Sequence, residues 1–373
     1  MKSANIRYLI GVDHLRGFAA LLVLLYHGVT HFAYASRFHE PFTAKGWLTS
    51  TNPFAALVFE GHTAVALFMV LSGFIFTWGT FDRTVRLGQF WKNRFLRTYP
   101  LFIALVLVGT AAYSQQVRFP ALLQTLLGGS NYLGGALKLG SFSSMFWTIG
   151  IEWQFYLLFP FLIAIYRARG HGFALGLITL ALVARWIIWV EVGSARDPAY
   201  WTLLGRIDQF LLGMLAARFF VAFGDRGWLR WCLLPAAGFV LFGIAVFNQM
   251  GGWPSNHAGK VLWPTIEGLG WAAVLVSYLA LIGSASGPIS RAAAAVGTIS
   301  YSIYLWHFVV VNALIKGGVT LSLGFGHVGD AFATTLAVAV PATLALATLS
   351  YHVIEAPFLA LRGSYLGPTA ARD

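Results

Sequence analysis

Ten apolar runs set the plan of the chain, each long enough to cross about 30 Å of hydrocarbon. They begin near Leu15, Thr63, Tyr99, Phe146, Phe173, Leu203, Leu229, Leu262, Ile299 and Phe332. An outer-membrane barrel would show short alternating segments instead. The pattern predicts an all-α polytopic membrane protein with about ten transmembrane helices, built as one domain over residues 1–373. Phe119 to Lys138 is ambiguous. It starts apolar and then runs into Gly128-Gly129-Ser130-Asn131 and Gly134-Gly135. Counted as a span, it would invert every later basic cluster. It reads as an outer-side or re-entrant segment, which is tolerated where it packs in protein or lines a cavity. No internal repeat is visible.

Charge then gives the orientation. The second connection, around Asp82 to Arg97, holds Arg83, Arg86, Lys92, Arg94 and Arg97. Arg167 and Arg169 follow the fourth run, and Arg218, Arg226 and Arg230 surround the sixth connection. Arg291 lies in the eighth, and Arg362 and Arg372 come last. With both termini cytoplasmic, about sixteen Lys and Arg fall inside and about eight outside, with Arg185 within a span. Lys2 and Arg7, an apolar run and Ala33-Tyr34-Ala35 imitate a cleavable signal peptide. That run is broken by His27 and His31 and contains Arg16, so it reads as an uncleaved first span.

Composition agrees with this class. Only 10% of the 373 residues are charged and 58% are hydrophobic, against about 25% charged in soluble proteins. The net charge of +12 sits in short clusters between apolar runs, so it marks topology rather than nucleic-acid binding. The single cysteine, Cys232, excludes an internal disulfide and a cysteine-rich metal site, and no metal is expected. No stretch outside the spans is long enough for a second domain.

Four constellations could carry chemistry. The first is Asp13 to His27. Arg16 and His27 are eleven residues apart, about three helical turns, so they share one face with roughly 16 Å between them along the axis. A cation at the membrane edge, the apolar strip of Ala20, Val23 and Leu24, and a titratable ring at depth suit a long ligand with an anionic head. A second reading stays open: Arg16 snorkels to the surface and His27 bonds a neighbouring helix. The second constellation is Trp91 to Pro100, where Arg94 and Arg97 share a face at the level of Arg16. Three arginine forks at one level could seat a polyphosphate, or an anionic lipid.

The third is Phe146 to Tyr156. Glu152 lies roughly 9 Å below the outer end of its span, and His27 roughly 20 Å in from the cytoplasmic side, nearly the same depth. They could form a buried base and its orienting carboxylate, or Glu152 could bond hydroxyls across a helix interface. In the fourth, Ser300, Tyr304 and His307 form an i, i+4, i+7 polar stripe. Such stripes hold helices together more often than they catalyse. Arg206-Ile207-Asp208-Gln209 offers an acceptor contact or a local ion pair. His352 and Glu355 read as a closing structural contact, and Leu71-Ser72-Gly73-Phe74 as a small-residue packing point. Nucleophile-elbow, Walker, zincin and dinucleotide-binding patterns are absent.

Taken in order, these residues resemble the acyltransferase-3 family. They are Asp13-His14-Leu15-Arg16-Gly17 with His27, Leu71-Ser72-Gly73-Phe74, Arg94-Phe95-Leu96-Arg97, Trp147 to Glu152 with Phe155-Tyr156, Phe210-Leu211-Leu212-Gly213, and Ser300 to His307. Members are bacterial membrane enzymes that move acyl groups, commonly acetyl from acetyl-CoA, onto sugar hydroxyls of surface glycans. The resemblance covers nearly the whole chain. It implies a ten-helix core in the bacterial inner membrane, His27 as the essential histidine, and Arg16, Arg94 and Arg97 as functional arginines. His14 stands where the family usually has a small residue, and Thr148 where serine is common. Some relatives carry a further extracytoplasmic hydrolase-like domain, for which this length leaves no room.

The expected function is therefore transfer of an acyl group, acetyl in the first instance, from cytoplasmic acyl-CoA to a hydroxyl of a glycan or glycolipid. Arg16, Arg94 and Arg97 would hold the CoA phosphates, and His27 would be the general base with Glu152 orienting it. Trp147, Thr148, Asp208, Tyr304 and His307 would face the acceptor. The rival class is a secondary transporter with intramembrane His, Glu and Arg as a proton relay. The absence of repeat symmetry between the halves speaks against it. A catalytically inactive membrane partner is a third class, against which the complete arginine and histidine set stands.

Overall fold

In hydrocarbon a spanning segment must satisfy its own peptide groups, and this chain does so with helices. The structure is a computed structural model that describes residue 5, residues 8–132, 136–283, 285 and 287–369. Lys2, Arg7, Gly134, Gly135 and Arg372, used above for charge and turns, lie outside the described residues. Helix α1 is Ile10–Phe38, α2 Pro53–Phe59, α3 Thr63–Thr80, α4 Leu87–Ala112 and α5 Phe119–Gln124. Then come α6 Phe146–Arg169, α7 His171–Val192, α8 Arg196–Trp201, α9 Leu203–Phe223 and α10 Leu233–Gln249. The last are α11 Trp263–Ile282, α12 Pro288–Thr298, α13 Ser300–Lys316, α14 Gly326–Thr334, α15 Val340–Ser350 and α16 Ala356–Ala360. Two single π turns, Thr335–Ala339 and Tyr351–Glu355, join the final three into one rod.

Eight rods are long and apolar enough to span, and the bent pair α12–α13 makes a ninth. Helix α9 has 21 residues, about 32 Å of rise. It carries three charged residues, Arg206, Asp208 and Arg218. Among the described residues these eight rods and the bent pair coincide with nine of the ten expected runs, α9 lies on the tenth, and together they make this a multi-pass membrane protein. The ninth differs in detail: it begins at Pro288 rather than near Ile299, and its halves meet at 66° around Ile299. The stretch from Phe119 to Gly129 is too short to span. It turns at Gly128 (φ 84°) and packs on α6, where Ser130 donates to the Phe146 carbonyl (2.6 Å) and Gln154 donates to Asn131 (2.8 Å).

Two contacts hold the site's scaffold. Helices α3 and α9 touch backbone to backbone, since a Cβ on Gly73 would overlap the Phe210 carbonyl and one on Gly213 the Val70 carbonyl. Small residues that let helices approach this closely are the main packing device in lipid. This is the packing role expected for Leu71-Ser72-Gly73-Phe74. His14, the departure noted above, bolts α1 to its neighbours. Its ring nitrogens lie 2.8 Å from the Tyr278 hydroxyl on α11 and 2.8 Å from the Ser290 carbonyl on α12.

The chain end returns to the second connection. Strand β1, Arg83–Val85, pairs antiparallel with β2, Leu366–Thr369. Asn93 of α4 donates to the Gly363 carbonyl (2.7 Å) and accepts from the Gly363 amide (3.2 Å). This seats the residues after α16 against the first turns of α4.

Candidate functional site

One cavity of about 220 Å³ gathers most of the expected cluster. Its lining includes Arg16, Arg94 and Arg97, and also Thr148, Glu152 and Tyr304. Helix α4 is already regular from Leu87, so Arg94 and Arg97 project from its early turns. A fourth cation, Arg362, enters the same lining from the returning chain end. It lies beyond the last rod, where burial first, and then the charges of Arg94 and Arg97, push its guanidinium down to about 10. Four cations share this space because α1, α4 and the returning segment converge on it.

The four arginines are not equivalent. Arg97 is paired, with Nη1 2.9 Å from the Glu355 carboxylate, which is buried and also accepts from Ser302. Arg94 lies over the rings of Phe76 (4.8 Å) and Phe90 (5.6 Å), and its buried Nε has no hydrogen-bond partner among the described residues. Arg16 stands 3.9 Å from Asp13, with its side chain 37% exposed. Arg362 spends its Nε on the Leu359 carbonyl (3.1 Å). Arg16, Arg94 and Arg362 therefore keep guanidinium nitrogens for an anion, and Arg97 lines the cavity with Nη1 on Glu355.

Beyond the cavity lies a pair of histidines. Tyr304, on the lining, has its ring centroid 5.7 Å from that of His307. His307 Nε2 lies 3.0 Å from His27 Nδ1. His27 Nδ1 also lies 3.1 Å from the Val23 carbonyl, and His307 Nδ1 lies 3.2 Å from that of Ile303. The rings of Tyr26, His31 and Phe308 surround His27. Among the described residues no three His, Cys, Asp or Glu side chains are placed to hold a metal ion.

Three expected placements are corrected. Glu152 is not the hydrogen-bond partner of His27. Its carboxylate accepts from Tyr156 (2.7 Å) and faces the arginine cavity, while His27 meets His307. Equal depth on two helices does not make their faces meet. Asp208 is not open to an acceptor, nor does it pair locally with Arg206. It is fully buried, bonded to Arg185 of α7 at 2.8 Å, and also accepts from Thr265 and from the Gln209 amide (3.0 Å). Arg206 instead covers the rings of Tyr200 (4.2 Å) and Trp147 (5.7 Å). Trp147 packs on Tyr200 and Trp201 in that aromatic cluster and is not part of the cavity lining. Thr148 lines the cavity, and its hydroxyl donates to the Met145 carbonyl (3.0 Å).

Sequence reasoning missed Arg362 as a site residue, because it reads as one more topology charge until β2 pairs with β1. It took Glu355 for a closing contact. That is correct as far as it goes, but the contact closes on a cavity arginine.

The family model described as an acyltransferase domain matches residues 9–352. A Staphylococcus aureus (strain COL) protein, provisionally named an O-acetyltransferase, is 23% identical over 96% of this chain and 58% of its own length. The peptidoglycan O-acetyltransferase OatA of Listeria monocytogenes is 26% identical over 94% of this chain and 56% of its own. A Bacillus subtilis protein provisionally named a peptidoglycan O-acetyltransferase, YrhL, is 26% identical over 95% and 56%. The chain thus spans a little over half the length of these relatives. No solved structure matches it. The matched residues run from the turn before α1 into the last rod, and the chain belongs to the acyltransferase-3 family.

Proposed function

We propose that this protein moves an acetyl group from cytoplasmic acetyl-CoA to a hydroxyl of a glycan or glycolipid, in the bacterial inner membrane with both termini cytoplasmic. The observation that carries this reading is the closeness of an arginine cavity to a histidine pair. An arginine cavity reaches Tyr304, whose ring adjoins the hydrogen-bonded pair His307 and His27. CoA phosphates would bind Arg16, Arg94 and Arg362, and the pantetheine arm would run along the face of α1 toward His27, roughly 16 Å away by helical rise. His27 would take the acceptor O–H proton as the oxygen bonds the thioester carbonyl carbon. The C–S bond then breaks, and the imidazolium returns that proton to the CoA sulfur. The relatives' names support a glycan as acceptor.

The test is thiol release from acetyl-CoA by purified protein, with mass spectrometry of surface glycans from cells with and without it. Release and the loss of one acetyl mass are expected. A folded protein that releases no thiol and leaves the glycans unchanged returns the buried charges to the transporter reading.

Two further outcomes are expected. Arg94→Ala or Arg362→Ala should weaken acetyl-CoA binding by about 1.5–3 kcal/mol, the worth of a hydrogen bond to a charged group. Calorimetry on each folded variant checks this, and unchanged affinity in both would assign them to lipid anchoring. For topology, a reporter fused to the C-terminus and active only outside the cytoplasm should stay silent. Its activity would invert the orientation.

A further inference from the structure

We propose that His307 is a positioning residue that fixes the tautomer of His27, so that Nε2 of His27 is the nitrogen left with a free lone pair. The proposal rests on the reading of His27 as the base and adds how that base is held ready.

The hydrogens follow from the acceptors. A backbone carbonyl can only accept, so His307 Nδ1, 3.2 Å from the Ile303 oxygen, carries a hydrogen. A neutral imidazole has one N–H, so His307 Nε2 is a lone pair. That lone pair lies 3.0 Å from His27 Nδ1, which must then be the donor. The Val23 oxygen, 3.1 Å from the same His27 nitrogen, requires the same hydrogen independently. Both demands agree, and His27 Nε2 is left unprotonated. The reverse tautomer of His27 would leave Nδ1 without a hydrogen, its one lone pair set against both the lone pair of His307 Nε2 and the Val23 oxygen. A doubly protonated His307 would aim an N–H at a nitrogen that Val23 already requires to be protonated.

The arrangement is built from two local contacts and one tertiary contact. Each helix supplies its own histidine with the carbonyl four residues back, on the same face. The packing of α1 against α13 supplies the bond between the rings. When His27 gains a proton at Nε2, its Nδ1–H still points at the His307 lone pair, which helps to bear the new charge. A partner that holds a functional histidine in one tautomer is a recurrent device.

The test compares His307→Gln, His307→Asn and His307→Leu with the parent, each as folded full-length protein in detergent. Glutamine can set its amide oxygen where Nε2 stood and accept from His27. Asparagine is too short, and leucine fills space without an acceptor. For His307→Leu and His307→Asn, kcat should fall roughly 10- to 100-fold, the range known for partners that orient metal-bound histidines. KM for acetyl-CoA should stay close to the parent's in both. His307→Gln should recover most of the lost kcat. Parent-like turnover in His307→Asn overturns the proposal, as does a His307→Gln variant no better than His307→Asn. Should the leucine variant not fold, the Gln and Asn pair alone decides. His27→Gln is run alongside: if it keeps parent turnover, the base reading itself fails, a result distinct from any His307 outcome.

Discussion

His27→Gln is expected to lower turnover by about 10²–10⁴-fold, the usual worth of a general base, and to leave acetyl-CoA affinity nearly unchanged. That loss corresponds to roughly 3–5 kcal/mol of transition-state stabilisation. The separation of the two effects follows from the geometry. The cations that would hold the donor line a cavity whose lining does not include His27. The glutamine side chain keeps a hydrogen-bonding shape opposite His307 but cannot take a proton from an alcohol. Turnover and acetyl-CoA affinity, measured on the folded variant in detergent, check this. Parent-like turnover would reduce His27 to a contact between α1 and α13. Glu152→Gln should leave the histidine pair undisturbed, because the carboxylate bonds to Tyr156.

Asp208→Ala is expected to be the most damaging single change to stability, at about 3–5 kcal/mol, the cost of leaving one half of a buried ion pair alone. The Arg185 side chain is 1% exposed and that of Asp208 is fully buried. Arg185 also donates to the Val261 and Gly205 carbonyls and to Thr265, so it cannot swing out to water. The double variant Arg185→Met/Asp208→Leu should regain much of the loss, since apolar residues of similar volume can replace a buried pair. Thermal unfolding in detergent reads this directly. An unchanged midpoint combined with a raised KM for the acceptor would return Asp208 to the substrate.

Much of this architecture can be read from the chain, because the hydrophobic criterion for a span is one-dimensional. The runs from Leu15 to Phe332 and the short segment after Phe119 needed only length, apolarity and glycine content. Residues within one helix were equally legible: Arg94 and Arg97 share the cavity, as their spacing requires. Pairings between helices were not legible. Glu152 and His27 have similar depth, but depth leaves rotation about each helix axis undetermined, and the partner of His27 comes from α13 instead. Asp208 reads from the sequence as an acceptor contact or a local ion pair, whereas its partner lies on α7. Arg362 became visible only through a strand pairing between the second connection and the returning chain end.

That pairing bears on biosynthesis. Arg16 comes from the first helix and Arg362 from the segment after the last one, yet both face one cavity. Chains fold from the N-terminus as they are made, and contacts between distant parts of the sequence form late. A nascent chain can insert its early spans and still lack a complete arginine cavity until the segment of Arg362 and Gly363 reaches α4. Chains stopped before Arg362 should therefore bind acetyl-CoA more weakly than chains that contain it. The arginine cavity is thus complete only after residues as far apart in the chain as Arg16 and Arg362 have met.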